Sequence, residues 1–123
     1  MKIDFNSNLP LYIQIIEKVK SMLISGALQP KSPLPSVREL AQIWEVTPNT
    51  VQRALRFLEE EGYIITKRTT GKFVTSDIQL LETLRAETLK TQVHNTVSNL
   101  QQLGYSNAEI SDCIEEELNM SGE

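Results

Sequence analysis

Two short amphipathic stretches, each with its own N-terminal cap, are separated by only Glu45 and Val46, and no other feature restricts the fold of this chain so much. The first, "LPSVRELAQIWEV", opens on a capping box. Ser36 caps the helix, and Glu39 three residues later reaches back to it. Val37, Leu40, Ala41 and Trp44 form its apolar stripe. The second, "VTPNTVQRALRFLEEEG", has Thr47 as cap and Pro48 at the first helical position, where the missing N–H would have been unpaired in any case. At about 100° per residue, Ala54, Leu55 and Leu58 fall within about 60° of Val51, while Asn49, Arg53 and Arg56 point to the opposite side. Helices joined by so short a link must cross steeply.

The flanking segments complete a small domain. Upstream, "PLYIQIIEKVKSMLISGAL" predicts a helix that starts at Pro10 and carries Leu11, Ile15, Val19, Met22 and Leu23 down one side. Gly26 stands where a left-handed C-terminal residue is wanted. Tyr12, Trp44 and Phe57 read as packing residues, because each lies on or beside an apolar stripe. Downstream, "YIITKRTTGKFVT" predicts a hairpin with strands at 63–66 and 72–75 and a tip crowded by Lys67, Arg68 and Lys72, where Gly71 permits close approach of a partner. The first turn of the second helix offers Asn49 and Thr50, with Gln52 and Arg53 one turn on, at a helix end whose outward amides favour anions. A steeply crossed helix pair beside a cationic hairpin is the pattern of a winged helix-turn-helix, whose second helix enters the DNA major groove.

The formal net charge of −4 conceals a division within the 123 residues. Residues 1–76 hold ten Lys/Arg against seven Asp/Glu, and residues 77–123 hold two against nine. The basic part carries the DNA-facing elements, and the acidic part should turn away from phosphate. From 77 to 104, Ile78, Leu81, Leu84, Leu89, Val93, Val97, Leu100 and Leu103 recur at helical spacing, predicting one long helix. A second capping box, Ser106 with Glu109, starts a last helix striped by Ile110, Cys113, Ile114 and Leu118. Two such helices folded back at Gly104 seldom cover both stripes alone, whereas a second copy of the chain would. The expected organisation is a DNA-binding domain over 1–76 and a two-helix dimerisation tail over 77–123. Overall the chain should be mainly α with one small β-hairpin.

Other chemistry finds little footing. One His94 and one Cys113 do not make a nucleophile–base pair or a metal site, and no Gly-rich phosphate loop occurs, so neither an enzyme nor a cofactor is expected. Cys113 reads as a small reduced core residue. No apolar run approaches the ~18 residues of a membrane span, and a cytoplasmic protein is expected. The tail leaves little room for a small-molecule pocket, and no effector can be read from it.

The segments "PLYIQI", "LISGALQP", "LPSVRELA", "VTPNTVQRAL", "LEEEGYI" and "GKFV", in this order over residues 9–75, resemble the GntR family of bacterial transcription regulators. The short tail is similar to that of the YtrA subfamily. The resemblance implies a repressor that binds a palindromic double-stranded operator as a homodimer. It implies DNA contacts at Arg38, at Thr47, Asn49, Thr50, Gln52 and Arg53, and at Thr70 and Gly71 of the wing. With Ser36 at the start of the first helix of the pair and Lys67, Arg68 and Lys72 on the wing, these make the expected interface. Lys31, Glu45 and Thr69 stand where the family often has Gly, and Pro48 replaces a frequent Arg. Of these, Glu45 should strain the turn if its φ is positive. The alternative is a winged-fold module that binds another protein through its acidic helices. Salt separates the two, because DNA affinity falls steeply with ionic strength and an apolar interface does not.

Overall fold

All five expected helices form, and the three with a predicted side-chain cap begin directly after it. In the computed structural model, which describes residues 1–6 and 8–122, α1 (Leu11–Ser25), α2 (Val37–Trp44) and α3 (Pro48–Glu60) are followed by β1 (Ile64–Lys67), β2 (Gly71–Val74), α4 (Ile78–Gln102) and α5 (Asn107–Ser121). Gly26 ends α1 at φ 85°. Ser36 and Glu39 complete the capping box of α2, and Thr47 Oγ1 accepts from the Thr50 N–H ahead of Pro48 at the start of α3. The turn between α2 and α3 closes on Glu45 at φ 55° and ψ 47°, a left-handed conformation taken by a residue with a Cβ. Its N–H bonds back to Ala41 and Gln42, satisfying the last turn of α2. Lys31 is also left-handed, at φ 66°.

The chain divides into two compact units, Met1–Leu84 and Arg85–Glu123, and the division falls inside α4. In the first unit, Ile15, Val19, Met22 and Leu23 of α1 meet Leu40, Ala41 and Trp44 of α2 and Val51, Ala54, Leu55 and Leu58 of α3. Tyr63, Ile64 and Val74 close the layer from the hairpin. β1 and β2 are antiparallel, with Ile64 opposite Val74 and Lys67 opposite Gly71. The segment before α2 adds to the hairpin edge, since Leu34 N donates to Lys72 O at 2.9 Å and Val74 N to Ser32 O at 2.9 Å. The N-terminal segment is docked: Trp44 Nε1 donates to Met1 O at 2.6 Å, and buried Gln14 bonds Asn6 and Leu9 through its amide.

Several expectations are corrected here. Leu11 is exposed, because at the first position of α1 it borders a surface concavity with Asn49 and Thr50 rather than the core. Phe57 is 46% exposed and rests on the Tyr12 ring at 6.2 Å between centroids. Leu81 and Leu84, expected on a pairing stripe, pack with Leu80 against the core of the first unit, because the opening turns of α4 lie on that core.

In the second unit, Gly104 at φ 97° reverses the chain between α4 and α5, and the Ser106–Glu109 capping box is formed. Ile110 is buried, whereas Leu89, Val93, Leu103, Ile114 and Leu118 are exposed. Cys113 is exposed too, contrary to its assignment to a core, because it lies on a helix that a single chain covers only at Ile110.

Candidate nucleic-acid interface

The interface begins with the two caps that fix its helices. Ser36 Oγ accepts from Glu39 N at 3.1 Å, and Glu39 Oε1 accepts from Ser36 N at 3.1 Å. The backbone N–H of Ser36, and then its hydroxyl, hold the Glu39 carboxyl below its ordinary value. Ser36 is thus engaged as a cap, and Arg38 two residues on is exposed on the first turn of α2. On α3, Thr47 and Thr50 share a 2.8 Å hydroxyl contact that orders the first turn. Asn49 and Arg53 are exposed, while Thr50 and Gln52 are half-buried. Asn49, Thr50 and Arg53 are brought together with Leu11 and Tyr12 around a shallow concavity of about 290 Å³. Within it the Arg53 guanidinium carbon lies 3.8 Å from the centre of the Tyr12 ring. Sequence reading took Tyr12 for a packing residue alone. Its place beside Arg53 depends on how α1 crosses α3, which no local pattern encodes.

The wing is less uniformly cationic than expected. Lys67 Nζ sits 4.7 Å above the Phe73 ring, so its stem covers apolar surface. Arg68 and Thr70 are exposed at the turn, and Gly71 has φ 102° with nothing within 4 Å of the position a Cβ would take. Lys72 was expected among the DNA contacts, but it turns inward. Its Nζ bonds Glu59 Oε1 of α3 and, at 3.0 Å, Thr66 Oγ1 of β1, with 16% of the side chain exposed. Thr66 also donates to the same Glu59 oxygen at 2.7 Å. Burial alone would raise the Glu59 carboxyl, but the hydrogen bonds from Lys72 and Thr66 and the charges of Lys72 and Arg56 hold it below its usual value. Lys72 is therefore part of a latch between the wing and the end of α3.

No group of His, Cys, Asp and Glu fit to hold a metal occurs among the described residues, and no helix among them is long and apolar enough to cross a membrane.

A short helix, a tight turn, a second helix with a polar front and a two-stranded wing on the same core define a winged helix-turn-helix protein. Residues 11–74 match the model of the bacterial regulatory proteins of the gntR family, and the chain belongs to that family. It is 43% identical over 77 residues to the HTH-type transcriptional repressor YtrA of Bacillus subtilis, a match covering 63% of this chain and 59% of that protein. Among solved structures, a GntR family transcriptional regulator from Listeria monocytogenes superimposes with a TM-score of 0.86 at 35% identity, covering 91% of this chain and 98% of that one. The DNA-binding domain of AraR, solved in complex with operator ORX1, matches with a TM-score of 0.55 at 26% identity, over 61% of this chain and 95% of that one. With its short two-helix tail, the chain falls among the YtrA-like members of the family.

Proposed function

We propose that this chain is a cytoplasmic transcriptional repressor that binds a palindromic operator as a homodimer, with no catalytic activity of its own. The observation that carries the reading is the front of α3. There Asn49 and Arg53 are exposed on a helix whose start is fixed by Thr47 and Pro48, on a family fold that a neighbour uses to bind an operator. Side chains so placed read base edges in the major groove, while Arg68 and the open backbone at Gly71 hold the sugar–phosphate backbone from the wing. Arg38 approaches from the first turn of α2. The dimer rests on the exposed stripe of the second unit, from Leu89 to Leu103 and over Ile114 and Leu118, which a second copy would cover. The protein-interaction alternative draws no support from the relatives, which are named as transcription regulators.

The test is selection of bound sequences from a randomised duplex pool by the full chain, followed by titration of the selected duplex across salt. The expected result is an inverted repeat with half-site centres about 34 Å apart or a multiple of it. The log–log salt slope should be about −0.9 per phosphate neutralised. A pool that enriches nothing, or an affinity indifferent to salt, would reject the reading.

A further inference from the structure

We infer that Tyr12 of α1 is a positioning residue for DNA reading: its ring carries the Arg53 guanidinium by the face and leaves the N–H edges of that group for the nucleic acid. At 3.8 Å from the ring centre the guanidinium carbon is at van der Waals distance over the face, since an approach in the ring plane would be held farther out by the ring's own atoms. A stacked guanidinium uses its flat side for the ring, and its five N–H donors, which lie in its plane, stay available. Among the described residues no carboxylate forms an ion pair with Arg53.

The platform itself is held. Tyr12 packs against the core of the first unit, and Phe57, one turn beyond Arg53 on α3, lies 6.2 Å from it at an interplanar angle of 34°. Half-exposed Phe57 thus has a use that core packing does not give it: it flanks the ring on which Arg53 rests. The consequence is preorganisation. An arginine on a bare helix surface samples many rotamers and loses them on binding, whereas one stacked on a fixed ring has lost most of them already. The inference rests on the reading of Arg53 as a DNA contact and assigns to α1 a share in sequence reading.

The experiment uses the full chain and the duplex selected by the parent protein, with affinity and thermal melting measured for Tyr12→Phe, Tyr12→Leu, Arg53→Ala and the double variant Tyr12→Leu/Arg53→Ala. Tyr12→Phe keeps the face and should stay within about twofold of the parent, whereas Tyr12→Leu should weaken binding about three- to twentyfold. In the Arg53→Ala background, Tyr12→Leu should change affinity by less than about twofold, since the group it positions is gone. Tyr12→Met, long and apolar but without a π face, replaces Tyr12→Leu if the latter does not fold. Equal losses from Tyr12→Leu with and without Arg53 overturn the inference, as does a loss in Tyr12→Phe, which would make the hydroxyl the contact. If Arg53→Ala weakens binding and Tyr12→Leu does not, the inference alone fails. If Arg53→Ala changes neither affinity nor selected sequence, the reading of Arg53 fails and the inference with it.

Discussion

Two single residues separate what the chain needs in order to fold from what it needs in order to bind. Arg38 is exposed, one residue into α2, and the core is built from Leu40, Ala41 and Trp44 on the other side of that helix. Arg38→Ala should therefore cost about 1–3 kcal/mol of operator binding with no change in melting temperature. A mobility-shift titration and a thermal melt on the same preparation check both halves. Glu45 is the converse case. Its side chain is exposed, while its backbone sits at φ 55°, ψ 47°, where a Cβ costs about 1 kcal/mol. Glu45→Gly removes that strain and loses part of the gain to the greater freedom of an unfolded glycine. A net stabilisation of about 0.5 kcal/mol, or roughly 2–4 °C in the melt, is expected, with operator affinity unchanged. A lower melting temperature would mean that the turn is not strained. In the sequence Glu45 is marked only by the resemblance, which often puts Gly there; the short link by itself implies a steep helix crossing, not a left-handed residue. Lys31, where the resemblance also puts Gly, takes the same left-handed backbone, although strain was expected only at Glu45.

At the scale of elements, caps and stripes located every helix, since each is written in residues three or four apart. The hairpin was legible as a pair of β-branched and aromatic runs, with each strand displaced by one residue from the expected span. What was not legible lies between elements. Glu59 and Lys72 are thirteen positions apart, and they meet only because the hairpin folds back over the end of α3. Reading Lys72 as a tip cation follows from the sequence alone, and its burial follows from that return. The latch makes a prediction with a sign. The Glu59 carboxyl is held below its ordinary value of 4.5 in the folded state, so its contribution to stability is present above the carboxylate range and is lost as pH falls through the lowered folded value. Glu59→Gln should cost at most about 1 kcal/mol near pH 7, because the pair is partly hydrated. The difference in melting temperature between parent and variant should hold at neutral pH and close on acidification below 4.5. Amide exchange in β1 and β2 should quicken in Lys72→Met. If exchange in the hairpin is the same in both proteins, the wing is held by its strand pairing alone.

For the whole molecule, the question is why so acidic a segment accompanies a DNA-binding domain. Residues 77–123 carry nine Asp/Glu against two Lys/Arg, a balance that weakens any approach to phosphate, so the segment should act away from the nucleic acid. Its apolar residues give the alternative. Leu103 is 74%, Leu89 66% and Leu118 63% exposed, and side chains of that size left in water along α4 and α5 call for a covering surface. A second copy would supply one with the same stripe and would bring a second α3 to the other half-site, so that the second contact would become intramolecular and affinity multiply. The first unit keeps Leu80, Leu81 and Leu84 for its own core, and cutting at residue 76 would strip that cover. A fragment of residues 1–84 should therefore fold as a monomer and bind the selected operator weakly. Its dissociation constant should move from roughly 10⁻⁸ M or tighter for the full chain toward ~10⁻⁵ M, with little preference over unrelated duplex. Leu103→Glu in the full chain tests the same point without a truncation: it should give monomers by sedimentation and a comparable loss of affinity, because a charge at the end of a stripe that a second copy would cover is left without a partner. If the fragment stays dimeric, or either protein binds the operator as tightly as the parent, the acidic helices do not join the two half-sites, and the apolar stripe must face a partner other than a second copy of this chain.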